Sequence, residues 1–123
     1  MNFRNSTYDG KRGMKGTNAY KEFLPSSDQT IAANLAKRMA NAIKAVRGKV
    51  YKVQQDFAMY PTAGTSDDYA SARHWLNSAN GKIYSFTLEW GTEFQPPYAE
   101  MQNIINDITA AMLDFCLGAI AAP

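Results

Sequence analysis

Cysteine and histidine are nearly missing from this chain of 123 residues, which has one of each, Cys116 and His74. A lone cysteine excludes an intrachain disulfide, and one His with one Cys excludes a self-sufficient zinc site of three or four N/S ligands. Long apolar runs are lacking too. No uninterrupted stretch of 18 apolar residues is there to span a bilayer, and the polar N-terminus has no apolar signal-peptide core; if the protein is secreted, its signal is expected to lie outside this chain. No P-loop, GxGxxG, CxxC or HExxH is present. Net charge is small, +2, which gives no bulk reason to expect a nucleic-acid partner. Its distribution is uneven. Residues 1–60 hold eleven basic and four acidic side chains (+7), whereas residues 61–123 hold two basic and seven acidic (−5).

What is present is ordinary globular composition, 46% hydrophobic and 20% charged, at a length that supports one small domain or part of a larger one. Residues 1–25 carry Gly10, Gly13, Gly16 and five basic side chains without periodicity, and read as a long irregular segment preceding an α/β portion over residues 26–123. Ser26 as N-cap, with Gln29 three residues later, forms a capping-box signature. Ile31, Leu35, Met39, Ile43 and Val46 then recur at helical spacing, and Gly48 is placed to end the helix. Lys37, Arg38, Lys44 and Arg47 lie off that stripe, most simply as a solvated face. Residues 49–56 (KVYKVQQD) are β-branched and aromatic enough for a short strand. Thr65 or Ser66 caps a short helix starting at Asp67. Residues 82–90 (KIYSFTLEW) are the clearest strand. Tyr84, Phe86, Leu88 and Trp90 share one face, and Ile83, Ser85, Thr87 and Glu89 the other. A loop containing Pro96 and Pro97 leads to a last helix with Met101, Ile104, Ile105, Ile108, Met112 and Phe115 as its buried stripe. Cys116 beside it reads as a small buried hydrophobe. Two strands make a poor sheet alone, so the expected α/β fold looks incomplete.

Glu89 is the sharpest chemical candidate. It ends a strand just before Gly91, where α/β sheets place functional groups. A carboxylate there serves as a general base when burial raises its pKa, or as a structural partner of a nearby cation. Tyr60 precedes a Pro-Thr-Ala-Gly loop and either packs at a strand end or swings over a cleft. Asp67 and Asp68 read as helix N-terminal acids matched to the dipole, or as negative charge offered to a cationic ligand. His74 has no neighbouring triad spacing and reads as a packing or surface histidine.

Residues 60–69 (YPTAGTSDDY) and 84–90 (YSFTLEW) resemble the C-terminal part of zinc metallocarboxypeptidases of the carboxypeptidase A/B type. Residues 93–101 (EFQPPYAEM) are similar to the bacterial branch, and residues 2–25 with the following helix are similar to an insertion and helix of that family. The resemblance implies the C-terminal part of one three-layer α/β/α domain with a mixed sheet, of which this chain holds two strands and three helices. It implies that Glu89 is the catalytic glutamate, activating a zinc-bound water and passing its proton to the leaving amine. Tyr60 matches the tyrosine that closes over the substrate and bonds its terminal carboxylate. Asp67 matches the base of the specificity pocket, where an acid favours C-terminal Lys or Arg, and Thr87 matches a residue lining that pocket. Asp68 matches an acidic position just beyond.

The family's zinc ligands, a His-x-x-Glu pair and a later His, have no counterpart here, and neither do its carboxylate-binding arginines; Arg4 and Arg12 do not fill those roles. Zinc is therefore expected in the intact enzyme and not in this chain alone, which is expected to be inactive. The implied partner is a peptide or protein C-terminus, without nucleic acid or membrane, in a secreted or extracellular setting. Self-association, or pairing with a missing N-terminal portion, is expected from the uncovered sheet. The competing reading is a non-catalytic peptide-binding or interaction module on the same fold.

Overall fold

The computed structural model describes residues 1–3, 26–55, 65–77 and 79–121. In chain order the elements are β1 (Asn2–Phe3), α1 (Ser26–Arg47), β2 (Gln54–Gln55), α2 (Ser66–Leu76), β3 (Phe86–Thr87) and α3 (Tyr98–Ile120). Each expected strand is present only as a two-residue core. The reason is its partner: both pair with β1, which offers two residues. β1 lies centrally in the order β2-β1-β3, parallel to β2 (Asn2 opposite Gln54, Phe3 opposite Gln55) and antiparallel to β3 (Asn2 opposite Thr87, Phe3 opposite Phe86). The segment expected to be irregular thus contributes the middle strand. Two residues are too few to show a period of two, so the pattern leaves no trace in sequence.

α1 follows its apolar spacing through Ile43, whereas Val46, expected on the same stripe, is exposed. Ala32, Leu35, Ala36, Met39 and Ile43 are buried. Arg47 is its last residue, and Gly48 (φ 78°) turns the chain out while its N–H reaches the Lys44 carbonyl at 2.8 Å. Ser26 is the first helical residue, so the N-cap position expected at Ser26 falls one residue earlier, outside the described residues. α2 starts at Ser66 with Thr65 as its cap residue, the Thr65 carbonyl accepting from Tyr69 N–H at 3.0 Å.

α3 packs along α1, and here the expected stripe is rotated. Ile104, Asp107, Ala111 and Gly118 are buried, with Ile108 and Phe115 half-buried, whereas Met101, Ile105, Met112 and Cys116 are exposed. Charge explains the rotation. Arg47 donates to both oxygens of Asp107 (Nη2 to Oδ2, 2.7 Å) and to Glu100 (Nη2 to Oε1, 2.9 Å), and Arg38 forks onto Asp114 at 3.0 and 3.1 Å. Three carboxylates seven residues apart, each held by an α1 arginine, fix which side of α3 faces α1. Gly118 packs against α1; a Cβ there would lie 3.0 Å from Leu35 Cδ2.

The alternation expected along residues 82–90 holds for Tyr84, Phe86 and Leu88, whereas Trp90, expected on the same face, is exposed. Phe86 meets Phe115 of α3 edge-on, ring centroids 5.6 Å apart, and Tyr84 and Leu88 pack on the same core. Thr87 faces α2. The described elements are three helices and a short three-stranded ladder.

Candidate functional site

The site is built from the α2 side of β3. An alternating strand that buries Phe86 against α3 must send Thr87 the other way. Thr87 Oγ1 donates to Asp67 Oδ1 at 3.0 Å, and Asp67 is 1% exposed in the first turn of α2. A carboxylate in a first helical turn is favoured by the helix dipole, so the same residue serves α2 and the site. Two of the residues singled out in the sequence, 20 positions apart, are thereby brought into direct contact.

Glu89 is exposed. With Leu88, Trp90, Gly91, Thr92, Glu93 and Phe94 it lines an open depression of about 740 Å³. The chain turns at Gly91 (φ 74°), whose N–H is within 3.4 Å of the Tyr51 hydroxyl oxygen. Glu89 also lies close enough to the Met1 ammonium to act on it electrostatically. Burial lowers the pKa of that ammonium and the Glu89 charge opposes the shift; the ammonium itself donates to the Lys52 carbonyl at 2.6 Å. Tyr60, the fourth residue of the expected site, lies outside the described residues, as does the side chain of Asp68.

His74 is a structural brace: its Nδ1 is 2.6 Å from the Asn80 carbonyl, closing the turn after α2. Sequence reasoning missed a second polar cluster. Lys82 Nζ contacts Asp28 Oδ1 at 2.7 Å, joining the start of the 82–90 segment to the first turn of α1. The hydrogen bond to Asp28 raises the Lys82 pKa, and burial, then the Asp28 charge, raises that of the Tyr84 phenol. Asp28 and Lys82 are 54 residues apart, and no spacing rule links them.

Among the described residues no group of three or more His, Cys, Asp or Glu converges. His74 is taken up by the turn, and Cys116 lies on the exposed side of α3. These residues do not fit a catalytic zinc, which needs three protein ligands. What they offer is a buried acid oriented by a hydroxyl and, two residues beyond Thr87, an accessible carboxylate on a depression whose lining includes neither Asp67 nor Thr87.

Comparison with known proteins gives the family that the sequence resembles. Searches of curated proteins and of solved structures each gave no match. The profile of the zinc carboxypeptidases matches residues 5–111, nearly the whole length, including Asp67, Thr87 and Glu89. The chain belongs to the zinc carboxypeptidase family.

Proposed function

We propose that this chain forms the substrate-side wall of a carboxypeptidase active site, as the C-terminal part of a three-layer α/β/α domain of the bacterial type. The intact domain would hydrolyse the last peptide bond of peptides or proteins and prefer C-terminal Lys or Arg. The observation that carries this reading is the Thr87–Asp67 contact: a fully buried carboxylate held at 3.0 Å by a hydroxyl from the strand that leads to Glu89.

Each residue then has a task. Asp67, with Thr87 donating to one of its oxygens, meets the cationic side chain of the substrate in a charge-assisted bond. Glu89, open to the depression, accepts a proton from the attacking water and returns it to the leaving amine. Tyr60 closes over the bound peptide and bonds its terminal carboxylate. Zinc supplies water activation in this family. Its ligands would come from the rest of the domain, since the family's His-x-x-Glu pair and later His have no counterpart in this sequence.

The test uses the intact domain. Glu89→Gln keeps the size of the side chain and removes the base, so kcat should fall by ~10²–10⁴-fold with KM little changed. Turnover within twofold of the unmutated enzyme would overturn the assignment of Glu89. For the 123-residue chain alone, no peptide cleavage and no tightly held zinc are expected after dialysis against the metal. One tightly bound zinc per chain would show that the missing ligands were misjudged.

A further inference from the structure

Glu89 stands between two fixed points of the chain. The first is Thr87, which pairs with Asn2 in the ladder and whose hydroxyl donates to Asp67 at 3.0 Å. The second is Gly91, where the backbone turns at φ 74°. Among the described residues the ladder ends at Thr87, so the backbone that carries Glu89 has no strand partner and takes its course from what lies on either side. Leu88 packs on the core, whereas Glu89 and Trp90 are exposed.

What holds Gly91 comes from distant parts of the sequence. Its N–H donates to the Tyr51 hydroxyl oxygen at 3.4 Å, across 40 residues. A Cβ at Gly91 would lie 3.2 Å from Ile104 Cδ1, so α3 closes another side of the turn. Tyr51 is suited to be a fixed partner. Its ring packs against the buried cluster that includes Ile43 and Ala111, and a ring held by packing holds its hydroxyl as well. The contact is long for an N–H···O bond, so it directs the turn more than it stabilises the fold.

We propose that Tyr51 is a positioning residue for Glu89: by holding the Gly91 amide it fixes the turn that presents the carboxylate to the depression. This rests on the proposed function, in which Glu89 is the base, and adds a residue from the other side of the ladder. A base must stand within hydrogen-bond reach of the proton it takes, and a misplacement of about 1 Å caused by a remote change can cost on the order of 10²-fold in rate. Removing the Tyr51 hydroxyl leaves the ring and its packing in place and releases the turn.

The test uses the intact domain and four variants: Tyr51→Phe, Gly91→Ala, Glu89→Gln and the double variant of Tyr51→Phe with Glu89→Gln. Tyr51→Phe should lower kcat about tenfold and leave KM within about twofold, since bound substrate is untouched while the base is displaced. Gly91→Ala sets a Cβ at positive φ against Ile104 and should act the same way by moving the turn directly. In the double variant the Tyr51 change should add no loss to that of Glu89→Gln, because a residue acting through the base has nothing left to position. Amide exchange separates positioning from general loosening: the Gly91 amide should exchange at least about threefold faster in Tyr51→Phe while α1 and α3 stay protected. Three results would overturn the role of Tyr51: turnover by Tyr51→Phe within twofold of the unmutated enzyme while Glu89→Gln is impaired, a full further loss in the double variant, or unchanged exchange at Gly91. Full turnover by Glu89→Gln would instead overturn the proposed function, and the role of Tyr51 would fall with it.

Discussion

The α1–α3 pair and the β3–α2 corner solve different problems with the same kinds of residue. Between α1 and α3 the apolar side chains interlock and the carboxylates are matched at once by arginines, Asp107 and Glu100 by Arg47 and Asp114 by Arg38. In the corner, Asp67 is just as buried as Asp107, but the contact in view is a neutral hydroxyl, Thr87 Oγ1. A buried acid matched by a guanidinium fixes geometry. A buried acid bonded to a hydroxyl ties α2 to β3. On the proposed function, the first region holds the fold and the second meets the substrate.

This contrast breaks first where it rests on packing. Ile43 is fully buried between α1 and its neighbours, so Ile43→Ala should cost ~2–5 kcal/mol. Small domains have only ~5–15 kcal/mol in total, so the urea midpoint should fall sharply. Next comes the polar clamp. Asp107→Ala removes the buried partner of Arg47, and the midpoint should drop by less than for Ile43→Ala. Thr87→Val is milder again, with ~1 kcal/mol lost with the hydrogen bond. That loss should appear as faster amide exchange in α2 and leave α1 and α3 protected. If exchange in α1 rises equally, the two regions are not separable.

The smallest expected effect is on pH dependence. The Arg47 hydrogen bond, then that of Asn103, holds the Glu100 carboxyl below its ordinary 4.5. A carboxyl depressed on folding contributes stability above its unfolded pKa and loses it as pH falls through the folded one. The contribution should therefore be complete above pH 4.5 and fade below it. Urea midpoints of the unmutated chain and Glu100→Gln should differ slightly at pH 7 and converge at pH 3. Because Glu100 is solvent-accessible, solvent screening keeps this difference small.

Much of this architecture was legible in the residues because a period repeats. Ile31 to Val46 specify α1 and Gly48 its end, and the alternation along residues 82–90 places Phe86 and Thr87 on opposite sides before any contact is known. β1 was not legible, since Asn2 and Phe3 are too few to display a pattern. The inner face of α3 was misjudged because apolar spacing alone ignores Asp107 and Asp114. Their arginine partners sit 60 and 76 residues earlier, and they turn the helix until Met101, Ile105, Met112 and Cys116 face outward. Of the site, Asp67 and Thr87 were legible as candidates, but their contact depends on how α2 lies against β3, a tertiary fact.

Asp67 carries the central claim, that this corner is built to receive a cationic C-terminal side chain. The most direct measurement compares kcat/KM for two peptides differing only in a terminal Arg or Phe, using the intact domain with and without Asp67→Leu. A desolvated charge pair predicts that Arg is preferred at least about tenfold, some 1.4 kcal/mol, and that the substitution reverses the order. Preference for Phe in the unmutated enzyme would contradict the account.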